Sequence, residues 1–148
     1  QVLGGYEKEL VEPLMEVLKN LGVSSALSVY GMDGMDEISA SDKTAVCELK
    51  DGKTRTYELS PEDFGMTISS KEDLVGGDAK ENAEITLSIL NGEKGPKRDA
   101  VVLNSAACIY MAKDNVTFED AIKMAEEIID SGKAKEQLDK FIEISNQY

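Results

Sequence analysis

Ser25-Ala-Leu-Ser-Val-Tyr-Gly-Met-Asp-Gly-Met-Asp-Glu-Ile-Ser39 is the stretch of this 148-residue chain on which the fold turns. Ser25 to Tyr30 are rich in apolar and β-forming residues and read as a short buried strand that ends at Gly31. Gly31 to Ser39 then form the only dense cluster of small, acidic and sharply turning residues in the sequence. Open α/β sheets hold their ligands on loops at the carboxyl ends of their strands, so this junction points to an α/β fold with its chemistry in that loop. Adjacent Asp36 and Glu37 can offer two carboxylates to a hard divalent cation, and Gly31 and Gly34 let the backbone turn tightly beside a bulky anion. The same residues suit a plain solvated acidic loop, and spacing alone leaves both readings open.

Working outward, Leu10, Leu14, Val17, Leu18 and Leu21 recur at helical spacing, with Pro13 near the start and Gly22 as the stop. On the other side, Thr44 to Leu49 and Thr54 to Leu59 flank Asp51-Gly52, which predicts a β-hairpin. From Pro61 to Gly77 the sequence carries turn residues and little periodicity, so a long connection is expected. Asp78 with Glu81 three residues on predicts a capped helix running to Leu90 before Gly92. Gly95-Pro96 introduce a helix over Lys97 to Ala112 whose apolar residues leave little polar face, which predicts a central position. Thr117 and Asp120 cap a further helix ending at Ser131-Gly132. Lys133 to Ser145 form a last one with Ala134, Leu138, Phe141 and Ile142 on one face. No repeat or linker divides the chain, so one domain is expected, with a small sheet, an unpaired sheet edge and a helical C-terminal half. Lys97-Arg98 is expected to border solvent, and Gly76-Gly77-Asp78 to be an ordinary turn and cap.

Composition narrows the chemistry. With 29 Asp and Glu against 16 Lys and Arg, the formal net charge is -13, which opposes association with nucleic acid or an anionic membrane. The sequence has no His, so no Ser-His-Asp or Cys-His dyad can form, and metal ligation falls to carboxylates or the two cysteines. Mg²⁺ or Ca²⁺ is then the natural ion. Cys47 and Cys108 are far apart and lack CxxC spacing, so both are expected to be reduced packing residues in a cytoplasmic protein. The apolar run Ala100 to Met111 is interrupted by Asn104 and Ser105 and falls short of the roughly 20 residues a membrane span needs. Gln1 to Tyr6 has no signal-peptide character and reads as a chain entered partway. The acidic loop fails the EF-hand pattern, and Asp63-Phe64-Gly65 stands without the other elements of a kinase.

A family resemblance rests on five segments in fixed order. They are Gly31 to Ser39; Tyr57-Glu58-Leu59-Ser60-Pro61-Glu62-Asp63-Phe64-Gly65; Gly76-Gly77-Asp78 with Glu81-Asn82-Ala83; Arg98-Asp99 with Leu103-Asn104; and Ser131-Gly132-Lys133-Ala134. Together they resemble the anthranilate phosphoribosyltransferases over essentially the whole chain, and specifically the C-terminal part of that family's larger α/β domain. The resemblance implies a phosphoribosyltransferase-type α/β fold and transfer of phosphoribose from phosphoribosyl pyrophosphate to anthranilate in tryptophan biosynthesis. It also implies Mg²⁺ as the cofactor and a homodimeric intact enzyme. Asp36 and Glu37 match the family's Asp-Glu magnesium pair; no catalytic or other cofactor-binding residue is assigned. The family's Gly-Thr-Gly-Gly-Asp phosphate loop, its Lys-His-Gly-Asn stretch and its N-terminal helical domain have no counterpart here, so the isolated chain is expected to be inactive. Tyr30 stands where the family often has His. Two rival expectations remain: a noncatalytic α/β module that binds a partner through an open sheet edge or apolar surface, and a different phosphoribosyl-transferring or nucleoside-phosphorylase relative.

Overall fold

The computed structural model describes residues 1–147 as a four-stranded sheet between helices on its two faces. The strands are β1 (Val2–Gly4), β2 (Ala26–Gly31), β3 (Thr44–Lys50) and β4 (Lys53–Leu59), in spatial order β1-β2-β3-β4. β1 runs parallel to β2, whereas β2, β3 and β4 are antiparallel neighbours. The hairpin expected at Asp51-Gly52 forms there. Both residues have positive φ, 51° and 74°, which matches the turn to the twist of the strands. β1 was not foreseen, because three residues are too short for an alternation to register.

Helix α1 (Val11–Asn20) covers one face of the sheet. Its buried residues are Val11, Met15 and Leu18, packed with Ala26, Cys47 and Leu49; of the expected stripe Leu10, Leu14, Val17, Leu18 and Leu21, Leu18 alone is buried. Two apolar stripes compete on this helix, and the one carrying Met15 meets the sheet; Val17 and Leu21 are left 53% and 75% exposed. The other face holds the main core. There Leu27, Val29 and Val46 meet Val102, Leu103, Ala106 and Ala107 of α4 (Pro96–Ala112), backed by Ala121, Ile122, Ala125 and Ile129 of α5 (Phe118–Asp130). The central position expected for α4 is thus realised.

The connection after Pro61 departs from expectation, since it contains a 3-10 turn, Pro61–Phe64, and a short helix α2, Lys71–Leu74. Each is closed by a reciprocal capping box, Ser60 with Asp63 and Ser70 with Asp73. Caps with an Asp partner over so few residues leave no helical periodicity to read. Helix α3 (Ala79–Leu90) starts at the predicted Asp78 cap and buries only Ile89, and α6 (Lys133–Ser145) buries no residue at all. Of the face expected on α6, Phe141 is 66% exposed and only Ala134 packs on the core.

Two further expectations are corrected. Arg98 does not border solvent: its side chain is 2% exposed, with Nη2 2.9 Å from Asp130 Oδ1. Its long stem is apolar enough to be buried once the charge is paired. Cys108 is exposed, unlike buried Cys47, because it lies off the face of α4 that meets the sheet; both thiols are free.

Inside the sheet–α4 layer, the 3%-exposed Glu48 carries a complete set of partners. Its Oε2 accepts from Arg55 Nη2 (2.8 Å) and Tyr57 Oη (2.8 Å), and its Oε1 accepts from Tyr110 Oη (3.0 Å). Burial first, and then the hydrogen bond to Glu48, push the Tyr57 phenol far above the ordinary tyrosine range; Tyr110 is raised for the same reasons. A raised folded-state value means the network's stabilisation is complete below the ordinary tyrosine pKa of about 10 and is lost as pH climbs above it. Tyr57 should therefore ionise only as the fold opens. An alkaline titration followed by tyrosinate absorbance should show this late step in the wild type and a smaller one in Tyr57→Phe; an unchanged curve would contradict the network.

Candidate functional site: an acidic turn at the end of β2

The turn begins where β2 stops. Gly31 N–H donates to Met35 O and Gly34 N–H to Gly31 O, both at 2.8 Å, and Met32 N–H reaches Lys43 O at 2.8 Å. Asp33 is the internal brace. Its carboxylate accepts from the hydroxyls of Ser41 and Ser39 (2.7 Å for Ser39) and from Met35 N–H at 3.3 Å. Partial burial alone would raise its pKa, but the two hydroxyls and the backbone donor outweigh it and hold the Asp33 carboxyl below its ordinary range. From α2, Lys71 Nζ donates to Asp33 O at 2.6 Å. Asp33 is thus committed to architecture.

Asp36 and Glu37 differ. Both are exposed, and among the described residues neither side chain takes a hydrogen bond or an ion pair. The backbone beneath them is nonetheless fixed from two sides. Under Asp36, Gly4 of β1 lies so close that a Cβ there would fall 1.6 Å from Asp36 O. Beyond Glu37, Asn104 of α4 accepts from Ile38 N–H through Oδ1 (3.0 Å) and donates to Ile38 O through Nδ2 (2.8 Å). Glu37 also borders a shallow cavity of about 370 Å³ with Ala100, Val101, Asn104, Ser105 and Cys108.

Two unpartnered carboxylates on a braced turn fit Mg²⁺, which takes one or two protein carboxylates and completes its shell with water and substrate phosphate. Among the described residues no group of three or more metal-binding side chains occurs. A larger cavity of about 810 Å³ lies elsewhere, against Tyr57, Tyr110, Phe64 and Phe118. Its lining also carries carboxylates, Asp51, Asp63, Asp114 and Glu119, but no two of them are adjacent in sequence as Asp36 and Glu37 are.

The structure places Asp36 and Glu37 side by side in sequence and exposed on the turn that follows β2. Asp33, Gly4 and Asn104 were missed as supports. One signal for Asn104 was present: a polar amide interrupting the apolar run of α4 needs a partner if it is buried.

Comparison with known proteins gives a consistent result. The family model described as "Glycosyl transferase family, a/b domain" matches residues 1–135. The anthranilate phosphoribosyltransferase of Methanobrevibacter smithii is 68% identical over 146 residues, which is 99% of this chain and 44% of that protein. That of Lachnoclostridium phytofermentans is 58% identical over 147 residues, with the same coverage. A solved anthranilate phosphoribosyltransferase from Saccharomyces cerevisiae with Mg bound superposes with a TM-score of 0.88 at 29% identity, over 99% of this chain and 43% of that one. A second structure from the same organism, in complex with PRPP and Mg, gives the same score at 28% identity. The chain spans less than half the length of the relatives it matches. With a family model matched over residues 1–135, the chain belongs to the glycosyl transferase family, in its α/β domain, and is similar there to the anthranilate phosphoribosyltransferases.

Proposed function

We propose that this chain is the C-terminal part of the α/β domain of an anthranilate phosphoribosyltransferase, and that Asp36 and Glu37 are its contribution to the phosphoribosyl pyrophosphate site. The observation that carries this is the pair of exposed, unpartnered carboxylates on a turn whose backbone is clamped on both sides. In the reaction the anomeric C–O bond to pyrophosphate breaks and a C–N bond to the anthranilate amine forms, so negative charge grows on the departing diphosphate. Mg²⁺, when bound, would neutralise that charge. Asp36 and Glu37 would hold the ion. The rest of the turn would fix the backbone that carries them, a positioning role of the kind that accounts for much of enzymatic rate enhancement.

The resemblance lacks the phosphate loop, so the 148 residues alone have no cradle for the pyrophosphate. They should convert no anthranilate, whereas the full-length transferase carrying them should do so; loss of anthranilate fluorescence measures both. Turnover by the isolated chain would overturn this reading. The intact enzyme is proposed to be a cytoplasmic homodimer joined through its helical domain. Among the described residues no helix is long and apolar enough to cross a membrane.

Exposed Phe141, Ile142 and Ile144 on α6, with Val17 on α1 and Leu21 just past its end, give a second reading specific support: a noncatalytic module that binds a partner through an apolar surface. Size-exclusion at several concentrations separates the two. Concentration-dependent association favours that module, and a strictly monomeric chain counts against it.

A further inference from the structure

Helix α4 is apolar over most of its surface, yet Asn104 stands in its middle with its amide fully used. Oδ1 accepts from Ile38 N–H, and Nδ2 donates both to Ile38 O and to Ala100 O, the last at 3.0 Å. A side chain that satisfies the N–H and C=O of one residue holds that residue's backbone as a neighbouring strand would, and the residue held follows Glu37 directly. The amide is in turn tied to its own helix through Ala100 O, so the clamp has a rigid base. Nothing else among the described residues reaches Ile38 N–H. We infer that Asn104 is a positioning residue for the Asp36–Glu37 pair: it touches neither metal nor substrate and sets where the Glu37 carboxylate is presented. This rests on the reading of Asp36 and Glu37 as magnesium-holding groups.

No other side chain of similar size can replace it. Asp would keep the acceptor but turn a carboxylate toward two carbonyl oxygens, and Ala would remove both bonds to Ile38. Losing two backbone hydrogen bonds at one residue corresponds to a change of roughly 10- to 100-fold in the equilibrium between the held and released turn.

The test uses the full-length transferase carrying these residues, with Asn104→Ala, Asn104→Asp in case the first variant does not fold, and Ile129→Ala as a core truncation on α5 away from the turn. In the metal-free protein, hydrogen exchange at the Ile38 amide should accelerate by roughly 10- to 100-fold in the Asn104 variants, beyond any change in global stability. The Mg²⁺ concentration for half-maximal rate should rise about tenfold, with kcat at saturating Mg²⁺ within about threefold of wild type. Ile129→Ala should change neither beyond its effect on global stability. Equal effects from Asn104→Ala and Ile129→Ala would reduce Asn104 to a packing residue and overturn the inference. An unchanged magnesium requirement in Asn104→Ala, alongside a raised one in Asp36→Asn, would also overturn it while leaving the acidic pair in place. An unchanged requirement in Asp36→Asn and Glu37→Gln as well would remove both.

Discussion

Replacing both carboxylates with their amides, Asp36→Asn with Glu37→Gln, should lower kcat/KM of the full-length transferase by about 10²- to 10³-fold, the scale seen when a preorganised group aimed at developing charge is removed. Stability should change by less than about 0.5 kcal/mol, because both side chains are exposed and unpartnered, and substitutions away from packed or hydrogen-bonded features have small effects. That split between activity and stability is the signature. A structural acidic loop would show the reverse, with a shift in melting temperature and unaltered turnover. Raising Mg²⁺ should recover part of the loss in each single variant, since one carboxylate remains, and least in the double variant. Turnover within threefold of wild type in the double variant would contradict the assignment.

Gly4→Ala should have the second large effect, this time on stability. The new Cβ would lie 1.6 Å from Asp36 O and 2.5 Å from Asp36 C. Both are backbone atoms, so relief requires β1 or the acidic turn to move and not a side chain to rotate. Overpacking in a filled interior costs about 1–3 kcal/mol, and this overlap belongs at the upper end of that range. Gly5→Ala is the matched control: a Cβ there meets its nearest atoms at 3.6 Å, an ordinary contact, so it should be close to neutral. Urea unfolding of the two variants measures the difference, and equal stability would mean that the turn does not rest on β1 as described. Because the displaced atoms belong to Asp36, Gly4→Ala should also raise the magnesium requirement of the intact enzyme, which links the packing of a three-residue strand to the site.

Much of this fold was legible because the signals are local and redundant. The Asp51-Gly52 hairpin, the Asp78–Glu81 capping box and the apolar run of α4 each combine turn chemistry with periodicity, and each element formed where expected. The elements that escaped lack such signals. β1 is a strand only because β2 lies alongside it, with Leu27 N–H bonded to Gln1 O and Gly5 N–H to Val29 O. The wrong stripe on α1 shows the same limit: Leu14 and Val17 are as apolar as Val11 and Met15, and the shape of the sheet surface decides between them. Arg98 reads as a surface charge until Asp130, 32 positions later, is seen beside it.

The site divides in the same way. Asp36 and Glu37 could be singled out in the sequence because two adjacent carboxylates just after a strand and the glycines Gly31 and Gly34 form a local pattern. Their supports could not, since Gly4 and Asn104 act from distant segments through backbone atoms. Asp33 illustrates the converse problem. In sequence it is as plausible a ligand as Asp36, and only its bonds to Ser39 and Ser41 show that its acceptor capacity is taken.

The most direct test is the crystal structure of the full-length transferase with phosphoribosyl pyrophosphate and Mn²⁺ in place of Mg²⁺, the ion located by its anomalous scattering. The account predicts a metal within about 2.0–2.2 Å of a carboxylate oxygen of Asp36 or Glu37, bridging to the pyrophosphate. A metal held by pyrophosphate and water alone, with both carboxylates turned away, would contradict it.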